Sequence, residues 1–141
     1  MMEAAREAVA QAARPPKLIA VTVLTSMTEP ELKEIGVPPN LDSQVLRLAE
    51  LSEACGLDGV VCSAREAELL RREIRSPFLL VTPGIRLPGA LKDDQARVVT
   101  PQDALRAGAS YLVIGRPITA AKDPRAALNE IHSMIQNEGL L

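Results

Sequence analysis

Four apolar segments, each followed by a segment with helical signals, constrain the fold of this chain more than any other feature. The segments are rich in Val, Ile and Leu and alternate little with polar residues, which is typical of strands covered on both faces. They lie at residues 17–24, 57–63, 78–82 and 110–115. Parallel strands joined by helices require right-handed crossover connections, so the sequence predicts an α/β fold.

Helical signals surround the apolar segments. The predicted helices cover residues 1–13, 29–36, 41–56, 64–74, 100–108 and 123–135. Thr100 is placed to cap its helix, and Pro101 occupies the first helical position. Residues 83–99 contain Pro and Gly and are predicted to form a long loop. No linker divides the chain, so we expect residues 1–141 to form a single domain.

The composition excludes several classes of partner. The net charge of −2 provides no basic field for nucleic acid or for an anionic membrane. One Tyr, one Phe and no Trp leave almost no surface on which bases could stack. No apolar run reaches membrane-spanning length. Cys55 and Cys62 lack metal or redox spacing, so we expect them to be reduced core residues of a cytoplasmic protein.

Two architectures fit the alternation of strands and helices. One is an open doubly wound sheet, and the other is half of a (β/α)₈ barrel, which has about 250 residues when complete. Ligands bind at the carboxyl ends of the strands in both architectures. Two of these ends, residues 82–86 and 115–119, each combine a glycine with an arginine. We therefore expect Arg86 and Arg116 to converge on one phosphate, the alternative being two solvated loop residues.

The other candidate residues give weaker indications of a functional site. His132 is the only histidine and lies on the last predicted helix, where a surface or interface role is the expectation. With no second histidine and no cysteine cluster, we expect no metal site. No nucleotide-binding glycine motif occurs either. Gln95 could fold over a bound ligand and donate a hydrogen bond, although its spacing alone does not select it.

Five segments of the chain resemble the C-terminal half of bacterial orotidine 5′-phosphate decarboxylases. They read LIAVTVLTSM, CGLDGVVCSA, LVTPGIR, VVTPQDALRAGASYLVIGRPIT and DPRAALNEI, and they follow the family order over nearly the whole chain. The resemblance implies a (β/α)₈ barrel that acts as a homodimer in pyrimidine synthesis. It also implies that orotidine monophosphate is converted to UMP and carbon dioxide without a metal or an organic cofactor.

The same resemblance implies roles for particular residues. Thr25 matches the family position that contacts the pyrimidine. Arg86 and the pair Gly115–Arg116 match the phosphate grip, and Gln95 matches the glutamine of the loop that closes over the phosphate. Orotidine monophosphate and UMP are thus the expected ligands.

In its catalytic motif, the sequence departs from the family. Its catalytic Asp-x-Lys-x-x-Asp array does not occur in these 141 residues, so we expect no catalytic residue in this chain and no activity from it alone. The chain is interpreted as the last four βα units of a barrel, without the N-terminal catalytic half. Such a half-barrel exposes two strand edges and the apolar side chains that fill the interior of a complete barrel. We expect it to associate through these edges with itself or with a missing half, or else to be unstable. Two alternatives remain open: a non-catalytic phosphate-binding half-barrel, and a related phosphosugar decarboxylase or synthase.

Overall fold

The computed structural model describes residues 1–38, 40–74, 77–87 and 99–140. The strands are β1 (Ile19–Val21), β2 (Gly59–Val61), β3 (Leu79–Thr82) and β4 (Tyr111–Leu112). The helices are α1 (Met2–Ala10), α2 (Glu29–Glu34), α3 (Leu41–Ala54), α4 (Ala64–Glu73), α5 (Pro101–Arg106), α6 (Arg116–Thr119) and α7 (Pro124–Gln136). The predicted α/β class is confirmed, and a helix occupies each predicted helical region. The four-residue α6 was not predicted.

The strand order decides between the two predicted architectures. The four strands are all parallel and lie in the order β1-β2-β3-β4. A doubly wound sheet reverses its strand order at a switch point, and this sheet does not. Right-handed crossovers that always move in one direction place their helices on one face of the sheet. This is the winding of a barrel, in which the helices of the described residues lie on one face of the sheet.

The core lies between the sheet and its helices. Val60 and Leu80 are register partners on the helix-facing side, and both are almost completely buried. They pack in one cluster with residues of α3 and α4, among them Val45 and Leu70. A smaller cluster forms around Ile85 and Ala104 and joins α5 to the sheet. Burial of these side chains, at about 25 cal/mol per Å², is the main force that holds the layers together.

The opposite face of the sheet corrects one prediction. Val21, Val61, Val81 and Tyr111 form a continuous row across the four strands. At the two ends of this row Val21 is 57% exposed and Tyr111 is 59% exposed. The prediction that the segments 17–24 and 110–115 are covered on both faces is wrong, because the described helices pack on one face only.

Local signals set the helix ends. At α4 the Ser63 N–H donates to the Glu66 carboxylate at 2.8 Å, in a capping box at the carboxyl end of β2. At α5 the Thr100 hydroxyl accepts from the Asp103 N–H at 3.2 Å, so the predicted cap at Thr100 is confirmed. Each bond satisfies a backbone donor that the helix itself leaves without a partner.

Arg71 of α4 holds the helix layer against the strands. Its guanidinium donates to the carbonyls of Gly108 and Phe78, at 2.8 and 2.6 Å, and to the Ser110 hydroxyl at 2.8 Å. The same hydroxyl accepts from the Leu80 N–H at 3.0 Å. A planar fork of donors can bind several acceptors at once, which a lysine ammonium cannot do in the same geometry. Arg71 thereby fixes where β3 and β4 begin.

Asp58 joins α1, β1 and β2 at the amino-terminal edge of the sheet. Its carboxylate accepts from the Leu18 N–H at 2.8 Å and from the Lys17 ammonium at 3.0 Å, and Arg6 of α1 lies 3.6 Å away. The hydrogen bond from the Leu18 backbone is the largest influence, followed by the one from Lys17, and together they lower the pKa of Asp58 below its ordinary value. The ionised carboxylate therefore stabilises the fold.

Asp58→Asn is expected to destabilise the chain near neutral pH by about 1–2 kcal/mol, since hydrogen bonds to charged groups are lost. A carboxyl whose pKa is lower in the folded than in the unfolded chain adds to the free energy of unfolding. This addition is complete above the unfolded pKa of about 3.9, and it is lost as the pH falls through the folded pKa. Denaturant unfolding at several pH values measures this. The stability gap to the parent chain closes in acid, whereas Glu50→Gln on the exposed side of α3 gives no such gap. A gap that persists unchanged in acid contradicts the assignment.

Candidate functional site

Two segments that each contain a glycine and an arginine leave neighbouring strands at the carboxyl end of the sheet. Thr82 of β3 and Leu112 of β4 are register partners. Arg86 and Arg116 each lie four residues beyond one of these partners. Because adjacent parallel strands end at the same edge, both arginines belong to one rim of the sheet. The convergence of their two guanidinium groups on one anion stays a prediction.

The backbone of Arg86 is held in place by Val99, at the far end of the predicted 83–99 loop. Gly84 has φ = 78°, a conformation that favours glycine, and it turns the chain so that Ile85 forms a parallel bridge with Val99. The Arg86 N–H donates to the Val99 carbonyl at 3.1 Å. Its guanidinium donates to the Ile85 carbonyl at 2.9 Å. The two ends of the predicted 83–99 loop are therefore paired rather than irregular.

Gly115 and Arg116 begin the short helix α6. A Cβ built on Gly115 meets no atom of the described residues within 4 Å. Arg116 is the first residue of α6 and is exposed. The N–H groups of Ile118 and Thr119 donate to the Gly115 carbonyl, at 2.9 and 3.0 Å. These two donors are used within the turn, which leaves the arginine side chain as the stronger group for an anion.

Thr25 lies at the same end of the sheet but on its other margin. It follows β1 in a tight turn, where the Met27 N–H donates to the Leu24 carbonyl at 2.9 Å. Thr25 is 8% exposed. Two strands separate β1 from β4, a distance of about 14 Å at ordinary strand spacing. The structure thus places Thr25 on the rim with the arginines but not beside them.

Gln95 lies outside the described residues. Among the described ones, sequence reasoning missed two buried polar groups near the rim. The Thr82 hydroxyl donates to the Tyr111 carbonyl at 3.2 Å and ties β3 to β4 below the two arginines. Glu66 is also buried, and its carboxylate accepts the backbone hydrogen bond of the capping box at Ser63. The signal for the second was present in the sequence, since a serine followed three residues later by glutamate is a capping box.

A groove of about 570 Å³ lies elsewhere, along the free edge of β1. It is lined mainly by apolar side chains of α1 and β1, including Met1, Met2, Ile19 and Val21. It lacks the convergent charged groups that an anion requires. We therefore place the candidate ligand site at the rim with Arg86 and Arg116, and not in this apolar groove.

Across the ranges that the structure describes, no three or more His, Cys, Asp or Glu side chains are grouped so as to hold a metal ion. Cys62 is buried and Cys55 is partly buried, and neither forms a disulfide. Within the same ranges, no helix has the length and apolar character needed to cross a membrane.

Comparison with known proteins assigns the chain to a family. The family model described as "Orotidine 5'-phosphate decarboxylase / HUMPS family" matches residues 1–131. An orotidine 5′-phosphate decarboxylase of Hydrogenovibrio crunogenus is 58% identical over 135 residues, which are 96% of this chain and 57% of the relative. One of Neisseria meningitidis is 56% identical over 139 residues, or 98% of this chain and 56% of the relative. The chain spans little more than half the length of these relatives.

Solved structures agree with the sequence comparison. The crystal structure of an orotidine 5′-phosphate decarboxylase from Lactobacillus acidophilus aligns with a TM-score of 0.78 at 38% identity, covering 94% of this chain and 57% of that one. An uncharacterised protein from Geobacillus kaustophilus aligns with a TM-score of 0.75 at 36% identity, over 94% of this chain and 57% of its own. The likeness to this barrel family confirms the barrel-type fold predicted from the sequence, here a partial barrel. The chain belongs to the orotidine 5′-phosphate decarboxylase family.

Proposed function

We propose that this chain supplies the phosphate- and pyrimidine-binding half of an orotidine 5′-phosphate decarboxylase, a carboxy-lyase that converts orotidine monophosphate to UMP and carbon dioxide. The observation that carries the proposal is the position of Arg86 and Arg116 at matching places beyond two neighbouring strands. Relatives that share more than half of its residues bear this enzyme's name. Residues 1–141 then form one domain, the C-terminal half of a (β/α)₈ barrel.

Each proposed residue has a distinct task. Arg86 and Arg116 bind the 5′-phosphate, because a guanidinium matches the oxygens of a phosphate with paired donors. Gly115 gives the phosphate access to the backbone, and Gln95 closes over it. Thr25, on the other margin of the rim, contacts the pyrimidine. A nucleotide has its base and its phosphate at opposite ends, so it can lie across the mouth from β1 to β3 and β4.

Binding of the phosphate favours a reaction that takes place on another part of the substrate, the base. Binding energy from a non-reacting group can offset the cost of orienting the base and favour the transition state. The chemical step needs an Asp-x-Lys-x-x-Asp array, which these 141 residues do not contain. We propose that this array comes from residues outside them, and that the enzyme is a cytoplasmic homodimer that uses no metal or organic cofactor.

Titration of the purified chain with UMP and with uridine tests the proposal. UMP is expected to bind and uridine to bind at least about tenfold more weakly, because the phosphate carries the charge-assisted hydrogen bonds. The chain alone is expected to give no turnover of orotidine monophosphate. Equal affinity for the two ligands overturns the phosphate assignment, and turnover overturns the proposed location of the catalytic array.

A further inference from the structure

Two threonines at the carboxyl end of the sheet make the same contact to a neighbouring strand. Thr22 directly follows β1, and its hydroxyl donates to the Val61 carbonyl of β2 at 2.9 Å. Thr82 ends β3, and its hydroxyl donates to the Tyr111 carbonyl of β4 at 3.2 Å. In both cases the acceptor belongs to the register partner of the residue that precedes the threonine. The two contacts are therefore equivalent by their position in the sheet.

The pair of strands between them, β2 and β3, has a cysteine at the equivalent position. Cys62 follows Val61, whose register partner is Val81, and the Cys62 N–H donates to the Val81 carbonyl at 3.1 Å. A thiol is a weaker hydrogen-bond donor than a hydroxyl. Threonine hydroxyls thus link β1 to β2 and β3 to β4, and the second link joins the two strands that lead to Arg86 and Arg116.

Thr82 is bound to β4 by both its side chain and its backbone. The residue is 0% exposed and lies on the helix-facing side of β3, as Leu80 does two residues earlier. A hydroxyl has one hydrogen to donate, and a buried one needs a partner within the protein, which here is the Tyr111 carbonyl. The Val113 N–H donates in return to the Thr82 carbonyl at 2.9 Å.

This link lies where the two arginine-bearing segments leave the sheet. Thr82 and Leu112 are the last register pair of β3 and β4 in the described residues. Arg86 and Arg116 each lie four residues beyond it. A guanidinium approaches a phosphate oxygen to about 2.8 Å, and a displacement of more than about 0.5 Å weakens such a contact. The position of β4 relative to β3 therefore decides how well both groups can bind one phosphate.

We propose that Thr82 is a positioning residue of the phosphate site, which holds β4 against β3 so that Arg86 and Arg116 meet the same phosphate. The inference rests on the proposed binding of the 5′-phosphate by these arginines, and it adds a residue that does not touch the ligand. A contact that only stabilised the fold would affect all ligands alike. Thr22 makes the equivalent contact on β1, where no arginine follows within four residues, so it is the matched reference.

Thr82→Val tests the proposal, because valine keeps the branched shape and removes the hydroxyl. Calorimetry with the purified chain is expected to show UMP binding about five- to tenfold more weakly and uridine binding within about twofold of the parent value, since only the phosphate contact is misaligned. Thr82→Ser keeps the hydroxyl and is expected to restore UMP affinity. Thr22→Val removes the equivalent hydroxyl of β1, and the ratio of UMP to uridine affinity is expected to stay unchanged.

Combination with Arg116→Ala shows whether Thr82 acts through the arginines. One remaining guanidinium needs no alignment with a second, so Thr82→Val is expected to cost less than about twofold in UMP affinity in that background. Thermal unfolding shows that each variant is folded during the titration. If Thr82→Val does not fold, Thr82→Cys replaces it, since it copies the residue at the equivalent position of β2, and a selective loss of about threefold is expected.

The results for the parent chain distinguish the two ways in which the account can fail. A parent that binds UMP and uridine equally overturns the proposed phosphate site, and the role of Thr82 with it. A parent that prefers UMP, together with a Thr82→Val chain that loses neither ligand or loses both equally, overturns the positioning role alone. A loss of UMP affinity that is as large in the Arg116→Ala background as in the parent also overturns that role.

Discussion

Arg116→Ala is expected to weaken UMP binding about ten- to a hundredfold, because a charge-assisted hydrogen bond contributes about 1.5–3 kcal/mol and each 1.4 kcal/mol is a factor of ten. Arg86→Ala is expected to have an effect of the same size. Arg116 is exposed, so the thermal midpoint of the chain changes little. Isothermal titration calorimetry with UMP measures the loss of affinity.

Two control variants separate the binding effect from a general change in charge. Arg116→Lys keeps the charge but loses the planar fork, and we expect an intermediate affinity. Arg72→Ala removes an arginine from the last turn of α4, at the opposite end of the sheet from the rim. It should leave UMP affinity unchanged. If Arg72→Ala weakens binding as much as Arg116→Ala, net charge and not the rim is responsible.

Gly59→Ala is expected to destabilise the chain by about 3 kcal/mol or more, which is the upper range for overpacked sites. A Cβ at Gly59 lies 2.2 Å from the Leu79 carbonyl oxygen and 2.6 Å from the Leu79 Cβ. The clash involves backbone, so β2 and β3 must separate. These strands carry Val60 and Leu80, the centre of the main core.

Thermal and denaturant unfolding measure this loss, with Gly115→Ala as the matched substitution. The Cβ added at Gly115 meets open space, so its stability is expected to change by about 1 kcal/mol or less. A Gly59→Ala chain as stable as its parent contradicts the close approach of β2 and β3.

Much of the fold is predictable from local patterns, and the exceptions have physical causes. The strands and helices follow from apolar runs and from caps such as Thr100, because these signals are local. The exposure of Val21 and Tyr111 does not follow from the strand segments alone, since an apolar strand has the same pattern whether or not its second face is covered; it follows from the interpretation of the chain as half of a barrel. The need for glycine at position 59 was also missed, because it arises from Leu79 on another strand.

The candidate site likewise has features that the sequence predicts and features that it does not. The alignment of Arg86 with Arg116 was predictable, because parallel neighbours end at one edge and each arginine follows its strand at a similar interval. The bridge between Ile85 and Val99 was not predictable, because it pairs two residues that are separated by a long segment of the chain. Contacts made by tertiary structure leave no local pattern in the sequence.

A double-mutant cycle on Arg86 and Arg116 tests the central claim most directly. UMP affinity is measured by calorimetry for the parent chain, for each alanine variant and for the double variant. If both guanidinium groups bind one phosphate, the two losses are coupled, and the double variant loses clearly less or more than their sum, by about 0.5 kcal/mol or more. Losses that add within about 0.3 kcal/mol mean that the arginines act at separate places, and they contradict a shared phosphate site.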